Sequence, residues 1–254
     1  MIYAESILLC VAIPLLIILI FVKGNVRQFI GAVLVGMIIG LLSSYVIRLV
    51  NLINDLGETA TMVYLAPITE ELLKILPLLL FLVLFEPESK LFMLTSIAIG
   101  AGFAIFDNCF YLLGSGDGNL ILVIIRSLSV GVMHIVSILA LSLWLVILRR
   151  RKMLTVPTVL GAVALPTAFH ALYNLLASRQ GASSIIGYIL PIVTAVFLIF
   201  LYRRVSKNAQ DAELAELQKE PVPVPEAPAE EVTEEKGSEG AKSCEEDRDG
   251  EEVR

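Results

Sequence analysis

The chain has 254 residues, of which 57% are apolar and 17% are charged, and its mean hydropathy is +0.82. The apolar residues stand in blocks of about twenty, the length of a membrane-spanning helix, which excludes an ordinary soluble domain. The net charge of −6 averages two unlike parts, because residues 1–204 carry 13 Lys and Arg against 9 Asp and Glu, whereas residues 205–254 carry 6 against 16.

The apolar blocks predict the number of spans. The first block contains Glu5 and is not preceded by a positive charge, so we interpret it as a retained helix rather than a signal peptide. We predict an all-α fold, a polytopic transmembrane helical bundle with about seven spans joined by short loops. The spans are expected near residues 4–22, 29–50, 62–85, 91–113, 119–148, 155–177 and 184–202.

Basic residues predict the orientation of these spans. They cluster after the first span, after the fifth span at 149–152, and after the last span at 203–207, whereas the second loop carries Asp55 and Glu58. With seven spans the three clusters lie on one side. We therefore expect a multi-pass cell-membrane protein with its N-terminus outside, a transmembrane domain at residues 1–204, and a disordered acidic cytoplasmic tail at 205–254, with at most a short helix at 209–219.

Three ionisable residues interrupt the third span. Glu70 and Glu71 are adjacent, about 100° apart on a helix, and Lys74 follows one turn later. A charged group inside a bilayer costs roughly 2.5–3.5 kcal/mol on insertion scales, so such groups are retained for a reason. One glutamate can pair with Lys74, which leaves the other free for chemistry.

The fourth and fifth spans add further polar side chains. Asp107 and Tyr111 lie one turn apart on one face, where a carboxylate and a phenol suit hydrogen bonding, although contact between helices is an alternative role. The fifth span contains Arg126 and His134.

The sixth span contains the second histidine of the chain. His170 and Asn174 share a helix face at positions i and i+4. At about 1.5 Å per residue, Glu70, Asp107 and His170 each fall roughly 10 Å below the outer face of the membrane, so they are expected to converge. His134 falls deeper unless its long helix starts late or tilts.

Paired carboxylates, neutral histidines and an amide suit peptide hydrolysis without a covalent intermediate, because they can activate water and stabilise an oxyanion. The chain lacks an H-E-x-x-H motif, which disfavours a zincin-like site. We expect neither a metal nor another cofactor. Two histidines and two glutamates could still bind a metal if they converge, and this alternative stays open.

Four motifs in order resemble the PrsW family of intramembrane proteases, which is related to the CAAX-processing and bacteriocin-processing proteases. The family pattern is E-E-x-x-K, F-E-x-x-x-Y, a helix with Arg and His, and H-x-x-x-D/N. The corresponding segments are Glu70 to Lys74, Phe106 to Tyr111, Arg126 to His134, and His170 to Asn174. The resemblance covers roughly residues 62–178.

The resemblance implies a glutamic-type endopeptidase, a hydrolase that cleaves a membrane-anchored protein near its extracytoplasmic juxtamembrane segment, as in the processing of an anti-sigma factor. The implied catalytic residues are Glu70, Glu71, His134, His170 and Asn174. The implied supporting residues are Lys74, Asp107, Tyr111 and Arg126.

One residue departs from the family pattern, because Asp107 stands where the family usually has Glu, and activity is conditional on that change. The partners expected are the substrate and the lipid bilayer, and no nucleic acid. A non-catalytic scaffold that binds membrane proteins is the alternative function. A small-solute transporter is disfavoured, because no inverted repeat is detectable.

Overall fold

The computed structural model describes residues 2–115 and 119–217. These ranges are helical and contain no strand, which confirms the predicted all-α class. A π-helical turn, Thr61–Leu65, joins the third helix to the fourth. The helices are α1 (Ile2–Phe21), α2 (Gly24–Asn54), α3 (Glu58–Ala60), α4 (Ala66–Phe85), α5 (Ser89–Ser115), α6 (Leu120–Arg150), α7 (Val156–Ala177) and α8 (Ala182–Leu217).

Within the described part of the chain, six helices are long and apolar enough to cross a membrane by length and composition alone: α1, α2, α5, α6, α7 and α8. The remaining long helix, α4, has 20 residues and carries Glu70, Glu71 and Lys74. These three side chains are buried in the protein, so the lipid-facing surface of α4 is formed by its apolar residues. The seven predicted spans therefore correspond to six strongly apolar helices and α4.

Local sequence explains where several helices begin and end. The side chain of Asn119 caps α6 by accepting hydrogen bonds from the backbone N–H groups of Ile121 and Leu122. A capping box between Thr155 and Thr158 starts α7. At the other ends, Asp55 stops α2 in the left-handed conformation with φ 49°, as Glu86 does for α4 with φ 41°.

Helix α5 packs between α2 and α6, and glycines allow the close approach. A methyl group added at Gly36 of α2 would collide with the carbonyl of Ile99, and one added at Gly102 of α5 with the carbonyl of Val33. Gly100 lies against Ile138 of α6. These small residues let α2 and α6 pack closely against the two sides of α5.

The first and last helices lie at the edges of this bundle. Helix α1 packs on α2 and α5, and Tyr45 of α2 donates a hydrogen bond to Glu5 of α1. Gly187 of α8 lies against Leu176 and Ala177 of α7. Helix α8 continues to Leu217, beyond the predicted boundary at residue 205, and overlaps the short helix expected at 209–219. Residues 218–254 lie outside the described residues, so the disordered acidic tail stays a prediction.

Candidate active site

A buried ion pair holds the second glutamate of α4. The Nζ atom of Lys74 lies 2.7 Å from Oε1 of Glu71, and both side chains are fully buried. The Glu71 carboxylate also accepts a hydrogen bond from Ser137 of α6 at 3.2 Å and lies 3.0 Å from Nδ1 of His170. A buried carboxylate with three polar partners is satisfied, so Glu71 is fixed in place.

Lys74 also determines which ring nitrogen of His134 carries the proton. Its Nζ atom lies 2.9 Å from Nδ1 of His134 and 4.3 Å from the centre of the Phe103 ring. An ammonium group can only donate hydrogen bonds, so Nδ1 of a neutral His134 must accept and Nε2 must carry the proton. His134 therefore points an N–H group away from Lys74 and toward Asp107, whose Oδ2 is 3.8 Å from Nε2.

The opposite assignment holds for His170. Its Nδ1 faces the carboxylate of Glu71, which can only accept, so Nδ1 carries the proton and Nε2 is left with a lone pair. That Nε2 lies 3.9 Å from Oε2 of Glu70. The Oε2 atom of Glu70 is buried and has no hydrogen-bond partner among the described residues. Two acceptors therefore face each other across a gap that is too long for a direct hydrogen bond.

The gap between Glu70 and His170 is suited to a small donor. A water molecule can donate one hydrogen bond to each acceptor, and a cation can bind both lone pairs. The arrangement leaves Glu70 as the free carboxylate of the pair, whereas the sequence predicted only that one of the two glutamates would be free.

Asp107 belongs to a second polar group, contributed by α5 and α6. Its Oδ2 lies 3.7 Å from the Arg126 guanidinium. Arg126 in turn donates to Oδ1 of Asn108 at 3.0 Å and stacks on the Tyr111 ring, 3.4 Å from the ring centre. Tyr111 thus acts through its ring against Arg126, whereas the sequence suggested a hydrogen bond with the carboxylate.

Asn174 links α7 to the π-helical turn before α4. Its side-chain amide donates to the carbonyl of Met62 at 2.9 Å. A π turn displaces backbone carbonyls from their usual helical partners, and such turns are frequent at functional sites. The amide has a second N–H that this contact does not use.

A cavity of about 330 Å³ opens onto these groups. Its lining includes polar residues from every helix that carries a predicted site residue: Glu70, Asp107, Tyr111, Arg126, His134, His170 and Asn174. Glu71 and Lys74 lie behind this wall, fully buried. The predicted residues thus form one site in two layers, with a cavity-facing layer and a supporting pair.

Three of these residues have the composition of a metal site. One ligand atom each from Glu70, His134 and His170 lies within 4.8 Å of the other two. Glu70 and His170 offer lone pairs, but the contact with Lys74 leaves a proton on Nε2 of His134. As arranged, the three residues do not offer three lone pairs to a cation.

Several residues of the site were not predicted from the sequence. Ser137 follows His134 by three residues on the same face of α6, a spacing that could have identified it. Asn108 and the carbonyl of Met62 act through contacts between helices, for which the sequence carries no signal. Phe103 packs its ring 4.7 Å from that of His134, measured between centres.

Comparison with known proteins gives one result. A family model, described as the PrsW family intramembrane metalloprotease, matches residues 25–202. No curated protein and no solved structure matches the chain. The match includes all four motifs and extends to α2 and α8, beyond the segment that carried the resemblance.

Proposed function

The chain belongs to the PrsW family of intramembrane proteases, and from this premise we propose that it is a glutamic endopeptidase that hydrolyses a membrane-anchored protein with Glu70 as the general base. Family membership supports a multi-pass membrane protease, and the mechanism, the residue roles and the substrate are our proposals.

The proposal rests on one observation: the Oε2 atom of Glu70, which has no hydrogen-bond partner among the described residues, lies 3.9 Å from Nε2 of His170. A water molecule between these acceptors is held by two bases and directs an oxygen lone pair toward the cavity. Glu70 accepts a proton as the water oxygen attacks the carbonyl carbon of the substrate. It returns that proton to the departing amine nitrogen, so that acid and base work is done by one carboxylate.

The opposite side of the site supplies hydrogen-bond donors. Nε2–H of His134 points into the cavity, and the second N–H of the Asn174 amide is available there. Both can stabilise the oxyanion that forms on the substrate carbonyl. Glu71 and Lys74 position the two histidines, since Glu71 contacts His170 and Lys74 contacts His134. The reverse assignment, with Glu71 as the general base, is disfavoured because the Glu71 carboxylate is already paired with Lys74 and Ser137.

The family description implies a metal, which would polarise the carbonyl and activate water. Glu70, His134 and His170 match the glutamate and two histidines of catalytic zinc sites in composition. The proton that Lys74 leaves on His134 does not fit that ligand set, so the proposed mechanism uses no metal.

The substrate we propose is a single-span protein, such as an anti-sigma factor, cut close to the extracytoplasmic end of its span. The basic loops support an N-terminus outside and a cytoplasmic C-terminus. With this orientation the π turn and Asn174 lie on the outer half of the membrane, and the cavity faces the juxtamembrane segment of a substrate.

Cleavage by the purified full chain in liposomes tests this function. Wild type should cut a single-span substrate, whereas Glu70→Gln and His170→Ala should lower the rate by roughly 10²–10⁴-fold, the usual contribution of general acid–base catalysis. Glu88→Gln is the matched control, because the same change is made at an exposed glutamate in the loop after α4.

Two outcomes would overturn parts of the proposal. Equal cleavage by wild type and Glu70→Gln would remove Glu70 as the base, and absence of cleavage with substrate still bound would favour the non-catalytic scaffold. Cleavage that is abolished by a chelator and restored by zinc would sink the metal-free mechanism and leave the protease function standing.

A further inference from the structure

A second cavity, of about 380 Å³, also opens onto carboxylates of the candidate site. Glu70 and Asp107 line this cavity as well as the first one. The remaining lining comes from the parts of α2 and α5 that follow their close contact at Gly36 and Gly102 along each helix. The two carboxylates therefore stand between two cavities, and a peptide that passes over them has room on both sides.

The walls of the second cavity, here called the phenylalanine cavity, are predominantly apolar. Phe103, Phe106 and Phe110 of α5 line one side. On the α2 side, the hydroxyls of Ser43 and Ser44 donate to carbonyls of their own helix, at 2.8 Å and 2.7 Å. Their protons are thus engaged within α2, and the cavity presents mainly hydrocarbon surface. Such a surface favours a large apolar side chain.

Among the described residues, one cation lines this cavity. Arg48 of α2 is exposed, and no described residue forms a hydrogen bond or an ion pair with it. Arg126, on the other side of the carboxylates, is held by Asp107, Asn108 and Tyr111. A guanidinium group has five donors in a planar fork that fits a carboxylate, so Arg48 is free to bind an acidic group of a ligand.

We propose that the phenylalanine cavity is a substrate subsite: it binds a large apolar side chain next to the scissile bond, and Arg48 binds the carboxylate of an acidic residue close by. This inference rests on the proposed protease function and adds the sequence preference of the substrate. The cut would thus fall where the apolar span of the substrate meets an acidic juxtamembrane residue.

A charge exchange tests the role of Arg48. The full chain in liposomes is given single-span substrates that differ only in a Glu or a Lys beside the apolar residue at the cleavage site. Wild type should prefer the Glu substrate by about tenfold, the equivalent of one charge-assisted hydrogen bond. Arg48→Glu should prefer the Lys substrate, and Arg27→Glu, an exposed arginine at the other end of α2, should behave as wild type. An unchanged ratio in Arg48→Glu would overturn the proposal.

Two further arms distinguish substrate recognition by Arg48 from a lipid effect and from a folding defect. The same cleavage assays are run in vesicles of neutral and of anionic lipid. If the effect of Arg48→Glu on the cleavage rate depends on lipid charge and not on the substrate, Arg48 binds a lipid headgroup and the proposal is wrong. A matching thermal unfolding curve for Arg48→Glu and wild type in detergent shows that the fold is retained.

A binding measurement tests the cavity without cleavage. Substrates with benzoylphenylalanine at the apolar position are crosslinked by light to the Glu70→Gln protein, and the attached segment is identified by mass spectrometry. Crosslinks should fall on α5 near Phe106 and Phe110 or on α2 near Ile47. Crosslinks confined to the other cavity would refute the subsite. Because this arm needs no catalysis, its result is independent of whether Glu70 is the base.

Discussion

The carboxylate of Asp107 does not reach hydrogen-bond distance of either His134 or Arg126. Its Oδ2 is 3.8 Å from Nε2 of His134 and 3.7 Å from Arg126, and both distances exceed a normal hydrogen bond. The family pattern has a carboxylate one methylene longer at this position, and these gaps match that loss of reach.

Asp107→Glu should therefore raise the cleavage rate. An added methylene extends the carboxylate by about 1.5 Å, the length of a carbon–carbon bond, and brings it within hydrogen-bond distance of Arg126, while Nε2–H of His134 stays available to the oxyanion. One added hydrogen bond is worth about 1 kcal/mol, so we expect roughly a fivefold increase in the rate measured in liposomes. Asp107→Asn is the control that keeps the length and removes the charge. Loss of activity in Asp107→Glu would contradict the role assigned to this gap.

Replacement of Lys74 should destabilise the folded protein. Lys74→Met leaves the Glu71 charge buried and without its cation, which should lower the free energy of unfolding by about 3–5 kcal/mol. Lys74→Met with Glu71→Gln should recover part of that loss, because no charge is then left unpaired. Thermal unfolding in detergent, followed by the fluorescence of Trp144, measures both. Lys90→Met, at an exposed lysine near the start of α5, is the control and should unfold like wild type.

At the scale of elements, the contact between α2 and α5 determines where Asp107 lies. The two backbones touch at Gly36 and Gly102, where a side chain would meet backbone atoms rather than flexible groups. The π turn before α4 is the other element that matters, since its Met62 carbonyl receives Asn174. Sequence spacing predicted helices in both regions, but not the turn or the depth of the contact.

Gly36→Leu should disrupt this contact. A Cβ at Gly36 would lie 2.9 Å from the backbone nitrogen of Phe103, and the backbone of α5 cannot yield as a side chain would. We expect a loss of about 3 kcal/mol in the free energy of unfolding, with Gly36→Ala showing a smaller loss. Gly31→Leu, in the same helix with no atom within 4 Å, is the matched control. Equal unfolding temperatures for Gly36→Leu and Gly31→Leu would show that the contact is not tight.

At the scale of the whole molecule, the number of spans decides the topology. Within the described residues, six helices qualify as spans by length and composition, and α4 can join them because its charged residues are buried inside the bundle. If α4 crosses the membrane, the loops at Lys23 and Lys152 lie on the same side. If it does not, they lie on opposite sides.

Labelling of single cysteines by an impermeant reagent distinguishes these topologies. In a cysteine-free background in intact cells, cysteines at Gly57 and Gln180 should react from outside. Cysteines at Lys23 and Lys152 should react only after the membrane is opened. Reaction of the Lys152 position in intact cells, with Lys23 still protected, would show that α4 does not span the membrane.

The sequence by itself determined the class of the protein and predicted the residues of its candidate site. Long apolar blocks require helices in a bilayer, and charged residues inside such blocks are rare enough to mark a site. Spacing along one helix placed Glu70 and Glu71 on different faces and His170 beside Asn174. The pairing of one glutamate with Lys74 was predicted, but not which glutamate it would be.

Only the tertiary structure decided which side chains of the site contact one another. Lys74 contacts both Glu71 and His134 because of the way α4, α6 and α7 are rotated and set in depth relative to one another. These contacts leave Glu70 free and place the proton of His134 on Nε2. Those contacts join residues far apart in sequence, and local periodicity fixes a face of a helix without fixing what that face meets. The sequence therefore indicated a site with buried carboxylates within the bilayer. The position of these carboxylates between two cavities depends on how the helices pack, which the sequence does not show.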